Sequence, residues 1–179
     1  LPLAIDLVND PVRSVRSEAG RLLADIPEQQ VAAEQLSALQ SAKQEFILSQ
    51  QTNADRPEAQ ANLGNFYARS GQYNKAEAAY KEALTLDNRY TPAYINLANL
   101  YNGTNRQPLA VELLKKGILQ VRDKATLYHA LGLQLIRQQQ TTEALAMLAK
   151  AAEQAPDNAR FSFVYAIALH DLGNPEQAI

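Results

Sequence analysis

A unit of 34 residues recurs through the second two thirds of this chain without insertion or deletion. Leu63-Gly64 is followed at that interval by Leu97-Ala98, Leu131-Gly132 and Tyr165-Ala166. Each unit holds two helical patterns joined by a short turn, and residues 57–88 show this arrangement most clearly. A fixed period of this length is typical of stacked helix pairs, because one pair alone cannot bury both of its faces. The chain is therefore predicted to be all-α.

Equivalent positions in the units, which start at Pro57, Thr91, Ala125 and Ala159, carry equivalent types of residue. Small residues stand at the eighth and twentieth positions, where a bulky side chain would hold the two helices apart. Large residues stand at the fourth, seventh, eleventh and twenty-fourth positions, where they can fill the core. The small residues are Gly64, Ala98, Gly132 and Ala166, and then Ala76, Ala110, Ala144 and Ala178. Since repeated aromatic stripes are normally packing residues, Tyr67, Tyr80 and Tyr101 are expected in the core.

This pattern resembles the tetratricopeptide repeat, in which a large residue precedes Leu-Gly and Tyr, and Ala and a further aromatic follow. The resemblance covers residues 56–179, with the last unit truncated, and Pro156 supplies the late proline of one unit. It implies a right-handed α-solenoid of stacked antiparallel helix pairs, the tetratricopeptide superhelix. Both ends of the chain look cut, so we expect a fragment of a longer protein.

The first 55 residues fit the repeat less well. Residues 1–26 resemble HEAT-type helices, since Asp10-Pro11 is a typical helix start. The apolar stripe of that helix is Val12, Val15, Ala19, Leu22 and Leu23, and Arg13, Arg16 and Arg21 are expected as solvated or capping charges. Residues 27–55 are predicted either as one long helix or as a helix pair, and the pair would have its break near residues 36–40.

The turns inside the units carry their own signals. Gly71 stands where a left-handed helix cap needs glycine, as does Gly173 in the last unit. In the second unit Gly103 comes two residues earlier, which predicts a first helix that ends early, and Pro108 is expected to open the second helix. Residues 138–140 are three glutamines, interpreted as a helix end and a loop, and residues 174–176 predict the start of the final helix.

Composition excludes several classes of function. The formal net charge is −2, so nucleic acid and anionic membranes are poor default partners. No apolar run reaches the length of a membrane span. Without cysteine, these residues cannot form a disulfide, a thiol nucleophile, a cysteine-ligated zinc site or a covalent c-type haem site. No catalytic motif, cofactor site or metal site is predicted, and His129 and His170 are expected to be ordinary groove or surface residues.

The resemblance implies a binding groove lined by the first helices of the units, at positions 2, 5, 9, 12 and 13. Asparagine amides there can clasp an extended peptide, and arginines can pair with an acidic group. Asn65 and Asn96 match two asparagines of the family's carboxylate clamp, but Ala61 and Thr126 stand where that clamp has basic residues. The groove residues selected are Asn65, Arg69, Asn99, Asn102, His129, Leu133, Arg137, Arg160, Phe163 and His170.

The function expected first is a non-catalytic module that binds a peptide or a partner domain in this groove. Residues 10–27 and 53–64 also resemble the C-terminal region of some bacterial multihaem c-type cytochromes, for which the chain would be an exported or periplasmic docking arm. Otherwise it would be cytoplasmic. Self-association through the last helix, or coverage of the apolar part of the groove by a missing C-terminal segment, are further alternatives.

Overall fold

In the computed structural model, residues 3–171 are described, and every regular element in that range is helical. None of the helices in this range is both long enough and apolar enough to cross a bilayer. Short 3-10 helices cover Leu3–Asn9 and Glu28–Gln30. The α-helices are α1 (Arg13–Leu22), α2 (Ala33–Gln51), α3 (Pro57–Arg69), α4 (Tyr73–Leu86), α5 (Thr91–Gly103), α6 (Gln107–Gln120), α7 (Ala125–Arg137), α8 (Thr141–Gln154) and α9 (Ala159–Asp171).

The predicted register of the repeat is confirmed. The first helices α3, α5 and α7 each have 13 residues, and the second helices α4, α6 and α8 each have 14. All four units begin at the predicted residues, since α9 starts at Ala159. The helix predicted from residues 174–176, together with Gly173 and Ala178, lies outside the described residues. The fold is all-α, built from stacked helix pairs.

The chain divides between Asp87 and Asn88 into two compact units. The first unit contains α1 to α4, and the second contains α5 to α9. The predicted domain boundaries at residues 26 and 55 both lie inside the first unit, and they stay predictions. Sites are described below within one unit at a time.

The turns between paired helices use one left-handed residue each, again at intervals of 34. These residues are Gly71 (φ 72°), Asn105 (φ 57°) and Gln139 (φ 59°). The prediction that the first helix of the second unit ends early is wrong, because α5 runs through Gly103 and Asn105 takes the left-handed position instead. Asparagine adopts this conformation more readily than most side chains, which explains why no glycine is needed there.

Small residues permit close helix contact at the predicted positions. A Cβ atom added to Gly64 would meet the ring of Tyr80, and one added to Gly132 would lie 2.7 Å from Cγ of Leu148. Tyr80 and Tyr101 are buried as expected, whereas Tyr67 is only half-buried, with Lys75 Nζ 5.4 Å from its ring centroid. The small residues and Tyr80 and Tyr101 thus lie where the repeat pattern indicates, whereas the prediction that Tyr67 is a buried core residue is wrong.

The amino-terminal helices differ from the prediction in two respects. Val12 and Leu22 are 54% and 43% exposed, so only part of the expected stripe of α1 faces the core. The predicted break near residues 36–40 is wrong, since α2 is continuous from Ala33 to Gln51. The interruption comes earlier, at Val31 and Ala32, where the backbone is extended.

α1 and α2 form a helix pair as close as those of the repeat. A Cβ added to Gly20 would overlap the carbonyl group of Ala42, which stands 34 residues before Ala76. Across the same interface Arg16 Nη2 donates to Glu45 Oε1 at 2.7 Å. Arg16 Nη1 also donates to the carbonyl of Asp10, just before α1, at 2.8 Å. Arg16 is therefore a part-buried bridge and not a solvated charge. Because the connection between α1 and α2 is longer than a repeat turn, the 34-residue frame alone did not reveal this pairing.

Candidate functional site

The residues selected for the groove fall in both compact units. Asn65 and Arg69 belong to the first unit, and the other eight belong to the second. We therefore describe the two residues of the first unit by themselves, and then the surface formed by α5, α7 and α9.

Arg69 is engaged by the end of α1. Its Nη2 donates to the carbonyl of Leu22 and to Asp25 Oδ1, both at 2.9 Å, and its Nη1 donates to the carbonyl of Arg21 at 3.3 Å. The last carbonyl groups of a helix lack partners inside the helix, and Arg69 satisfies two of them for α1. The expectation that Arg69 lies free for a ligand is therefore wrong: it ties α3 to α1.

Asn65 is exposed, but its amide oxygen already has a partner. The hydroxyl of Tyr80 donates to Asn65 Oδ1 at 2.8 Å, across the α3–α4 pair. Burial of the phenol raises the pKa of Tyr80 to about 12, so this hydroxyl keeps its proton. Asn65 thus belongs in part to the packing of its own helix pair.

In the second unit, three of the selected residues come together around one pocket. Asn99 and Asn102 on α5 and Arg137 on α7 line a cavity of about 680 Å³. The rest of its lining is Gly103, which stands at a predicted groove position of the second unit, and Gln107, Pro108 and Gln138, which the sequence analysis missed. Gln138 could have been found from its place in a turn, since it directly precedes Gln139, which has a left-handed backbone.

An exposed apolar strip, formed by Phe163 and Ile167, lies on α9. Phe163 and Ile167 are 66% and 44% exposed, and their spacing of four residues places them on one face of the helix. Leu133 on α7 is half-buried. Arg160 and His170 are exposed on α9, and His170 Nδ1 lies 3.2 Å from Asp171 Oδ1. The three selected residues of α9 are therefore accessible to a partner, and Leu133 is partly accessible.

His129 is not an open groove residue, contrary to expectation. It is only 7% exposed, and its ring stacks on Phe161 of α9 with centroids 4.6 Å apart and planes 27° apart. Neither ring nitrogen has a hydrogen-bond partner among the described residues. Burial, and secondarily the positive charge of Arg160, lower the pKa of His129 below its ordinary value.

The burial of His129 predicts a loss of stability in mild acid. The unfolded histidine takes up a proton near its ordinary pKa of 6.5, whereas the folded one resists protonation until a lower pH. The contribution of neutral His129 to the free energy of unfolding is therefore complete above pH 6.5. As the pH falls below 6.5 this contribution is lost, by up to about 1.4 kcal/mol per pH unit. Urea unfolding between about pH 7 and pH 5 would measure this slope.

The variant His129→Leu should have a shallower slope in that range, because leucine cannot titrate. His170→Gln is the matched control, since His170 is exposed, and it should leave the contribution of His129 in place. Equal slopes for the wild type and His129→Leu would contradict the assignment.

No group of three histidine, cysteine, aspartate or glutamate side chains in residues 3–171 is placed to hold a metal ion. A second cavity, of about 540 Å³, lies in the first unit beside the connection between α1 and α2. Its charged lining residues are Asp25, Glu28, Lys43 and Arg69, two of each sign.

Comparison with known families agrees with the repeat pattern. A sequence model described as tetratricopeptide repeat matches residues 67–134 and 135–179, together more than half of the chain. The chain has no match among the curated proteins.

Several solved structures are similar in fold. MamA from Desulfovibrio magneticus RS-1, from its residue 41 to its end, shows 16% identity over 91% of this chain and 89% of its own, with a TM-score of 0.60. TTC0263, a TPR protein from Thermus thermophilus, shows 21% identity over 93% and 95%, with a TM-score of 0.60. YrrB, a TPR protein with an unusual peptide-binding site, shows 17% identity over 99% and 88%, with a TM-score of 0.53. At these identities the likeness concerns the fold alone.

Proposed function

Since this chain belongs to the tetratricopeptide repeat family, we propose that it is a non-catalytic interaction module that holds a peptide segment of a partner protein. The peptide lies against the exposed surface of α5, α7 and α9 in the second unit. The observation that carries this proposal is the exposure of Phe163 and Ile167 on one face of α9. Repeats of this family generally act as scaffolds for protein contacts.

The apolar strip supplies the affinity. Phe163 and Ile167 are exposed on α9, so water covers apolar surface that a partner could bury. Contiguous exposed apolar surface rimmed by polar groups is characteristic of interaction sites in soluble proteins. Arg160 is exposed at the start of α9 and makes no ion pair within residues 3–171, so it adds a polar rim.

The asparagines of α5 supply backbone recognition. A carboxamide has donors and an acceptor, so it can bond both the N–H and the C=O of an extended peptide. Asn99 is exposed, and Asn102 lies one turn further along the same helix at the pocket wall. An extended peptide needs such partners because its own backbone groups are unpaired.

The other two hypotheses, a docking arm of a larger multihaem cytochrome and a self-association module, stay predictions, as does the compartment. Neither has a specific observation in residues 3–171 that favours it over peptide binding. Coverage of the strip by a further segment of the same protein would use the same surface.

A phage-displayed library of random peptides, selected on the purified chain, tests the proposal. We expect enriched peptides to contain apolar residues and to lose at least about tenfold in affinity for the double variant Phe163→Ser, Ile167→Ser. Leu119→Ser is the matched control, because Leu119 is 78% exposed on α6 but lies away from this surface.

Circular dichroism should show the same helix content in all three proteins. The proposal fails when no peptide is enriched, and it also fails when the enriched peptides bind the double variant as well as they bind the wild type. Sedimentation at several concentrations, run in parallel, would reveal self-association through the same strip.

A further inference from the structure

The pocket between α5 and α7 carries positive charge only. Among the described residues that line it, Arg137 is the only charged one, and none is an aspartate or glutamate. Arg137 is exposed and makes no ion pair or hydrogen bond through its side chain within the described part of the chain. Its guanidinium group is therefore available to an incoming anion.

Two carboxamides in the pocket wall have buried polar atoms without partners. Both amide atoms of Asn102 and the amide nitrogen of Gln138 are inaccessible to solvent, and none has a hydrogen-bond partner in residues 3–171. Buried amide groups are nearly always paired in folded proteins, because an unmade hydrogen bond costs free energy. A turn of these two side chains toward the cavity would let them bond a ligand that brings hydrogen-bonding oxygens.

The donors define the kind of ligand. The guanidinium group of Arg137 presents parallel N–H donors, and the amide nitrogens of Asn102 and Gln138 add further N–H groups. A planar carboxylate accepts such a fork of donors with two oxygens, and these charge-assisted bonds are stronger than neutral ones. Asn99 and Gln107 add two more carboxamides to the wall.

The cavity in the first unit offers a useful contrast. Its two cations, Lys43 and Arg69, face two anions, Asp25 and Glu28, in the same lining. Arg69 is also paired with Asp25 at 2.9 Å. An acidic group entering that cavity would meet charges of both signs, whereas one entering the pocket of the second unit would meet only Arg137.

We infer that the pocket formed by Asn99, Asn102, Gln107, Arg137 and Gln138 is a carboxylate subsite, which anchors an acidic group of the peptide bound along α9. As a statement about the bound peptide, this rests on the proposed function. The carboxylate chemistry of the pocket can be tested without it. The residues differ from the carboxylate clamp of the family, whose basic positions are Ala61 and Thr126 here.

Arg137 also has a structural role that the experiment must separate from ligand binding. It lies in the last turn of α7, where a cation is favourable near the carbonyl end of the helix. Replacement of Arg137 could therefore lower stability slightly without any ligand. The readout must be ligand binding, with the folded state verified by circular dichroism.

Nuclear magnetic resonance titration with blocked tripeptides provides that readout. The first probe is acetylated, amidated glycine-glutamate-glycine, and its neutral control carries glutamine instead of glutamate. A third probe, acetylated triglycine with a free C-terminus, distinguishes a terminal carboxylate from a side-chain one. We expect at least one carboxylate probe to shift the side-chain signals of Asn102, Gln138 and Arg137, and the neutral probe to leave them unchanged.

The variant Arg137→Gln should weaken carboxylate binding by about tenfold or more. Arg122→Gln is the matched control, since it removes the same charge from an exposed arginine of the second unit that belongs neither to the pocket nor to the selected groove residues, and its binding should equal that of the wild type. Equal shifts with the glutamine probe, no shifts with either carboxylate, or equal losses in both variants would each overturn the inference.

The outcome is separable from that of the peptide selection. In one outcome, the selected peptides need Phe163 and Ile167, show no preference for acidic residues and bind Arg137→Gln normally. That outcome would support the proposed function and contradict the carboxylate subsite. Carboxylate probes that bind at Arg137 when no library peptide is enriched would support the subsite and remove the proposed function.

Discussion

Gly20→Ala should destabilise the protein by about 2 kcal/mol, although alanine is the better helix former. In a helix interior the exchange alone would stabilise by about 1 kcal/mol. Here the added Cβ would overlap the carbonyl of Ala42 and lie 2.6 Å from the backbone nitrogen of Lys43. Because the clash is with backbone atoms of a helix, it cannot be relieved by a change of side-chain rotamer. Overpacking of this kind costs about 3 kcal/mol.

Gly103→Ala is the matched control for this prediction. Gly103 lies in α5, and a Cβ added there would have no atom within 4 Å, so the same substitution should be neutral or stabilising. Urea unfolding followed by circular dichroism measures both free energies, and hydrogen exchange should show faster opening of α1 in Gly20→Ala. A Gly20→Ala protein as stable as the wild type would disprove the close contact between α1 and α2.

Gly64→Ala should cost a similar amount, about 2 kcal/mol, for a different reason. Its Cβ would enter the ring of Tyr80, 2.9 Å from Cζ and closer to two other ring carbons. The ring is buried and its hydroxyl is bound to Asn65, so it has little room to move.

Addition of Tyr80→Leu to the Gly64→Ala variant should restore part of the lost free energy of unfolding. The second repeat already uses alanine and leucine at these two positions, as Ala98 and Leu114, and both are buried. Tyr80→Leu alone loses ring contacts and the bond to Asn65, at about 2 kcal/mol. The double variant should be more stable than the sum of the single effects by at least about 1 kcal/mol.

Measurement of all four proteins by urea unfolding completes this double-mutant cycle. Additive effects, with no coupling between the two positions, would mean that the alanine and the ring do not collide. In that case the eighth and twenty-fourth positions would not form the contact that we describe.

The repeat itself was predictable because its contacts recur. Helix starts at Pro57, Thr91, Ala125 and Ala159 follow from the spacing of small and large residues, and the structure confirms them. The left-handed residues Asn105 and Gln139 were harder to predict, since neither is glycine. Their conformation follows from the geometry of the turn, which outweighs the small preference of the residue.

The candidate site was only partly predictable. The repeat positions selected Asn99, Asn102 and Arg137, and these three residues line one cavity. They did not indicate that Arg69 is held by α1 or that Phe161 covers His129. Each of these contacts depends on a residue without a counterpart in the other repeats.

By itself, the sequence determined the fold class and the register of the helix pairs. These follow from contacts that are short in sequence and repeated, so each copy of the pattern reinforces the others. Only the tertiary structure decided that Gly20 meets Ala42, that Arg69 and His129 are engaged inside the protein, and that unpaired amides and Arg137 share one pocket. The contacts of Gly20 and Arg69 involve elements that precede the repeats, and those of His129 and the pocket depend on side chains that differ from one repeat to the next, so no period in the sequence encodes them.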